Sequence, residues 1–137
     1  MFKLIKIMNT GVNVPEIEKF PCDPHSPLDV GSCLLYDSSC GMVNASNETD
    51  PPTHILARAI NKGDCWAYCY RVSPQMIFEV PVTGDPTALY NGMSVELLVE
   101  SGHGVCTVTD TEGGPAMIYS TENAKVSGDK VLVTFSY

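Results

Sequence analysis

Residues 65–85, CWAYCYRVSPQMIFEVPVTGD, constrain the fold more than any other stretch, because two consecutive runs there can be read with a two-residue period. That period belongs to strands, whose successive side chains point to opposite faces of a sheet. In the first run Trp66, Tyr68, Tyr70 and Val72 share one face, and Cys65, Ala67, Cys69 and Arg71 the other. In the second, Met76, Phe78, Val80 and Val82 oppose Ile77, Glu79 and Pro81. Ser73-Pro74-Gln75 reads as the turn between them, so a hairpin is expected. It carries the single Trp and two of the six Tyr. A half-buried sheet is expected to be built outward from it, and it is expected to link a first small β unit to a second.

Taken in order, the chain opens with an extended N-terminal arm, residues 1–27. Phe2, Leu4, Ile5, Ile7 and Met8 suit one short strand, and Pro15, Pro21, Pro24 and Pro27 then disfavour helix. The arm's scattered apolar side chains suit either docking on a neighbouring subunit or packing on the chain's own body. From residue 28 to 137 the pattern is that of strands: Cys33–Tyr36, a return at Met42-Val43, His54–Ile60, the two central runs, Met93–Val99, Val105–Asp110, Pro115–Ser120 and Val131–Phe135. In Met93–Val99 the residues Met93, Val95, Leu97 and Val99 should face the core. Turn clusters at 37–41, 44–53, 61–64, 91–92 and 112–114 separate these segments. About nine short strands at this spacing predict an all-β fold, a small barrel or β-tulip-like body carrying the arm.

The chain has 137 residues, which suits one domain. Its charged fraction of 18% is below the ~25% usual for soluble domains. Lys3, Lys6 and Lys19 balance Glu16, Glu18 and Asp23 in the arm, so the body carries the whole net charge of −8. Such a surface repels phosphate backbones, and no nucleic-acid partner is expected. No segment has the length and apolarity of a membrane span, and none reads as a secretory signal. The six Cys (22, 33, 40, 65, 69 and 106) are therefore expected to be reduced thiols in a chain made in the cytoplasm.

No constellation reads as catalytic. Cys65 and Cys69, two side-chain repeats apart on one strand face, would lie about 13 Å from each other, too far to share a zinc ion or a disulfide. They are expected to pack as small buried thiols beside Ala67. His25, His54 and His103 have no local signature of a Cys–His nucleophile pair. Glu96 and Glu100 read as solvated charges on an outer strand face. Gly102-His103-Gly104 and Gly113-Gly114 lack the helix and Lys of a phosphate loop. No enzyme activity, metal or cofactor is expected.

An ordered set of motifs remains: Val30-Gly31 opening a strand, Arg71-Val72-Ser73-Pro74, Phe78-Glu79-Val80-Pro81-Val82, the turn Asn91-Gly92, Gly113-Gly114-Pro115-Ala116-Met117-Ile118, and the closing Gly128-Asp129-Lys130-Val131-Leu132-Val133-Thr134-Phe135. In this set, residues 28–137 resemble the small capsid decoration (head cement) proteins of tailed bacteriophages. The resemblance implies a non-enzymatic β-barrel or β-tulip-like protein on the outside of an assembled capsid. It would bridge neighbouring major capsid proteins, often as a trimer. The arm lies outside the resemblance. An extended arm can add a strand to a neighbour's sheet edge, which makes Phe2, Leu4, Ile5, Ile7, Val12, Val14, Ile17 and Phe20 the candidate capsid contacts. A second reading, from another class, is a virion-surface module that binds a ligand or glycan through Tyr68, Tyr70 or Trp66 as exposed platforms. It fails if the face that carries these rings is inside the core.

Overall fold

The computed structural model describes residues 1–8, 14–23, 25–100, 103–122 and 124–135. They form eleven strands: β1 (Lys3–Ile7), β2 (Glu18–Pro21), β3 (Cys33–Asp37), β4 (Met42–Ala45), β5 (His54–Leu56), β6 (Trp66–Arg71), β7 (Met76–Thr83), β8 (Ser94–Glu100), β9 (Gly104–Glu112), β10 (Ala116–Ser120) and β11 (Lys130–Phe135). Nine of them, β3 to β11, follow residue 27, and two come from the arm. The helical content of the described residues is one short 3-10 turn, Pro86–Ala88, capped by the Asp85 carboxylate, which accepts from the Thr87 N–H.

The strands make two sheets. The larger runs β1-β7-β11-β10-β8-β9 and closes on itself through a parallel pairing of β7 with β9 at Val82↔Val108 and Thr83↔Thr109. The result is a five-stranded barrel. β11 takes one edge of β7, and the other edge is shared between β9 at its end and β1 at its beginning. The smaller sheet runs β2-β6-β5-β3-β4. The expected hairpin is therefore not one: β6 and β7 lie in different sheets. A turn at residues 72–75 fits a hairpin and a crossing equally well. The long-range partners decide, since β6 takes β2 and β5 while β7 takes β1 and β11. The stretch does link one β unit to the other.

The barrel core is aliphatic around three rings. Met76, Phe78, Val80 and Val82 of β7 are all buried, as their alternation predicts, with Val95, Leu97, Val108, Ile118, Val131 and Val133. Phe78 and Phe135 meet edge to face with centroids 5.6 Å apart, and Phe2 joins both, at 6.3 and 5.5 Å. Burying a ring of this size stabilises the fold by about 1.5–3 kcal/mol relative to leaving it exposed. On β8 the alternation holds through Leu97, but Val99 is 45% exposed. The β8–β9 register shifts between Leu98 and Val99, and such a bulge turns the following side chain outward.

A second core sits on one face of the small sheet: Cys22, Leu28, Leu34, Val43, Leu56, Ile60, Ala67 and Cys69, with Phe20 packed against it. The opposite face gives Cys33, Ile55 and Tyr70 to the barrel core. The predicted strand 54–60 shortens to β5, and Ile60 returns only as an isolated bridge to Leu28. The two sheets are joined at residues 28–32. The buried Ser32 hydroxyl accepts from Val105 N–H at 3.0 Å, and Asp29 pairs with His103 through both backbone and side chain. Gly104 (φ +89°) is pressed so closely on Ser32 and Leu28 that a Cβ there would collide with both.

Of the described residues before 28, β1, β2 and Phe2 are joined to the body. Phe2 is 2% exposed, and its N–H donates to the Gly31 carbonyl. β1 and β2 extend one sheet each, pairing with β7 and β6.

Candidate interaction surface

β6 presents different chemistry on its two faces. Ala67 and Cys69 point into the small core. On the other face, Tyr70 is 7% exposed against the barrel, whereas Trp66, two turns of the pleat earlier, is 47% exposed and Tyr68 is half-buried. The aromatic face of this strand therefore runs from the core out into solvent, because the barrel covers only one end of the sheet.

Each outer ring carries a cation supplied by a different element. Lys19 lies opposite Tyr68 in the β2–β6 register, and its ammonium sits 4.4 Å from the Trp66 ring centroid. Arg58, in the connection after β5, lies over Tyr68 with its guanidinium carbon 4.5 Å from the centroid. Beside them is a cleft of about 300 Å³ lined by Arg58, Ala59, Asp64, Cys65, Trp66 and Tyr68. A cation held over a ring at an exposed site gains about 0.5–1 kcal/mol. The planar fork of a stacked guanidinium stays free to bind a carboxylate through two parallel hydrogen bonds. Among the described residues, no carboxylate comes within ion-pairing distance of Lys19 or Arg58.

The mouth of the small core holds a different cluster. Phe20 packs edge-on against His54 at 5.0 Å and lies 5.3 Å from Tyr36. Next to it is a cleft of about 280 Å³ lined by Tyr36, Thr53, His54, Arg71 and Val72. Nδ1 of His54 is 2.9 Å from the Thr53 hydroxyl, which also accepts from the Tyr36 N–H at 2.8 Å. Nε2 faces Oε2 of Glu18 at 3.5 Å. Burial lowers the His54 pKa below its ordinary value, with the Glu18 charge opposing the shift, so the imidazole is held neutral.

The thiols follow the same division. Cys22, Cys33, Cys69 and Cys106 are buried, Cys40 and Cys65 exposed, and all six are free. Burial pushes the Cys69 thiol up to about 12 and raises those of Cys22, Cys33 and Cys106. A thiol so raised stays protonated near neutral pH and is a poor nucleophile and metal ligand. Among the described residues, no three His, Cys, Asp or Glu side chains converge as a metal site would require.

The eight arm residues do not form one surface. Phe2 is in the barrel core, where Leu4 and Ile7 pack partly buried against it. Phe20 closes the small core. Ile5, Val14 and Ile17 are exposed, and Val12 lies outside the described residues. Phe2 is accordingly corrected from contact to core, because β1 carries it between Phe78 and Phe135. Conversely, Lys19 and Arg58 carried no sequence signal. Only the β2–β6 pairing, across more than forty residues of chain, sets Lys19 beside the aromatic strand.

No protein-family model matches the chain, and no curated protein matches it. Among solved structures, the crystal structure of the head fiber gp8.5 N base in bacteriophage phi29 is similar, with a TM-score of 0.54 and 16% sequence identity. The match covers 90% of this chain and 95% of that one. The likeness is one of fold, over nine-tenths of this chain.

Proposed function

We propose that the chain is a structural, non-enzymatic virion protein that binds the outer surface of an assembled phage capsid and stabilises it by bridging major capsid proteins. The observation that carries this reading is the fold shared over 90% of the chain with the N base of a phage head fiber. The ordered motifs of residues 28–137, which resemble head cement proteins, point the same way. The physics is compatible with it. A closed barrel needs little reorganisation to bind, which limits the entropic cost of association.

The second reading, a glycan-binding module, keeps a narrower footing. Of its three rings Tyr70 is buried, while Trp66 is exposed and Tyr68 half-buried, each with a cation over one face. The test is sedimentation of the purified chain with preassembled heads lacking it, followed by heating or low salt. Saturable binding that raises the temperature at which heads release DNA is expected. A chain that stays in the supernatant at all concentrations would overturn the proposal.

A further inference from the structure

We infer that the solvent-exposed end of the β6 aromatic face, with Trp66 and Tyr68 backed by Lys19 and Arg58, is the surface that docks on the head, and that its occupant is a carboxylate-bearing surface of a shell protein; this rests on the virion reading above. Three observations meet there. First, the residue types are those that dominate protein–protein binding energy: Trp, Tyr and Arg are enriched among interface hot spots. Here one of each lies within a single cleft. Second, the patch is cationic in a chain of net charge −8, with 16 acidic and 8 basic residues. No carboxylate of the described residues pairs with either cation. Asp64 also lines the cleft, its carboxylate accepting from the Asn61 N–H, so two cations stand against one acid there, and such charge complementarity favours one orientation of approach. Third, the cations are pre-positioned. Each lies within 4.5 Å of a ring centroid on a strand or strand end, so little side-chain freedom is lost on docking.

The same geometry decides against a sugar stacked on these rings. The ammonium and the guanidinium each occupy a ring face that a saccharide would use. What the patch offers outward is a guanidinium fork, an ammonium and the exposed edges of the aromatics. That set fits carboxylates flanked by apolar side chains.

The test compares wild type with Arg58→Glu, Lys19→Glu and Trp66→Ala in sedimentation with heads lacking the chain. Thermal unfolding serves as a folding control, and the mass of the free chain is followed for each variant. Each substitution is expected to weaken head binding at least tenfold without lowering the unfolding temperature. Arg58→Lys, which keeps charge but not the fork, is expected to fall between. In parallel, the single Trp of the wild-type chain is titrated with a hexaglutamate peptide and with hyaluronate. A salt-sensitive shift of Trp66 emission by the peptide, larger than with the polysaccharide, is expected. Wild-type binding to heads with unchanged affinity in all three variants would overturn this inference and leave the virion proposal standing. Failure of wild type itself to bind heads would overturn that proposal instead. A stronger response to hyaluronate would assign the patch to a glycan, and a loss of self-association in the variants would assign it to a second copy. Either outcome overturns the inference.

Discussion

The barrel and the small sheet are built from the same kind of strand and differ in nearly everything else. The barrel closes on itself, so its strands leave few free edges, and its core is mostly Val, Leu, Ile and Phe, with Met76, Met93, Cys33 and Tyr70. The small sheet is open, packs only partly against the barrel, and fills its own core with two thiols and small aliphatics. Among the described residues, four buried polar side-chain atoms make no hydrogen bond: those of Glu18 and His54, which face each other at 3.5 Å, and of Ser46 belong to the small sheet or its loops, and that of Thr107 to the barrel. Exposed rings occur in both parts, Trp66 and Tyr36 on the small sheet, Tyr119 on β10 and Tyr90 before β8, but among the described residues the rings that carry a cation, Trp66 and Tyr68, are on the small sheet. The difference teaches a division of labour. Closure supplies stability, and the sheet left open keeps aromatic and charged groups at its surface where a partner can use them.

The largest effect that can break this comparison is at Phe2. Phe2→Ala removes a fully buried ring and should cost about 3–5 kcal/mol, measured by denaturant unfolding. A cost under about 1 kcal/mol would mean that the N-terminal strand is peripheral. Leu34→Ala in the small core should cost less, about 2–3 kcal/mol, because an open sheet can relax around the cavity. Native-state hydrogen exchange sharpens the same point: amides of β3 and β5 should open before those of β7 and β11. Equal protection would erase the distinction between the two regions.

Next comes the junction. Gly104→Ala adds a Cβ against Ser32 and Leu28 at a φ of +89°, and should cost roughly 1–3 kcal/mol. Loss of the Ser32–Val105 hydrogen bond should accompany it. The smallest effect is the pH response of His54. Its folded pKa is depressed, so below the ordinary value of 6.5 the unfolded chain binds more protons than the folded one. Stability should therefore decline as pH falls through about 6.5 and level off below the folded value. His54→Gln should abolish that slope in urea unfolding measured between pH 7 and 5. A slope that persists in the variant would place its origin elsewhere. The carboxylates of Asp23, Asp37, Asp85 and Asp129, lowered by hydrogen bonds from their own turns, act in a separate window below 3.8.

Much of this architecture is legible in the residues. The alternation of Met76–Val82 identifies a barrel strand and its inner face, and the turn clusters separate nine strands after residue 27. What is illegible is non-local. Nothing near Ser73-Pro74 says that β6 and β7 part company, because sheet membership is set by strands as remote as β1, whose Lys3 pairs with Glu79. The four-residue β2 is masked by its prolines and becomes a strand only by pairing with β6. The bulge that exposes Val99 depends on β9. The docking face shows the same limit: Trp66 and Tyr68 stand out in the sequence, but the cations over them come from β2 and from the β5–β6 connection.

The central claim is that the closed barrel holds the molecule together while the open sheet meets the partner. A density map of heads saturated with the chain, at a resolution that separates strands, tests it most directly. The account predicts that the exposed end of the β6 aromatic face, with Trp66, Tyr68, Lys19 and Arg58, lies against the shell beside the barrel. A map in which the barrel strands contact the shell and Trp66 faces solvent would contradict it.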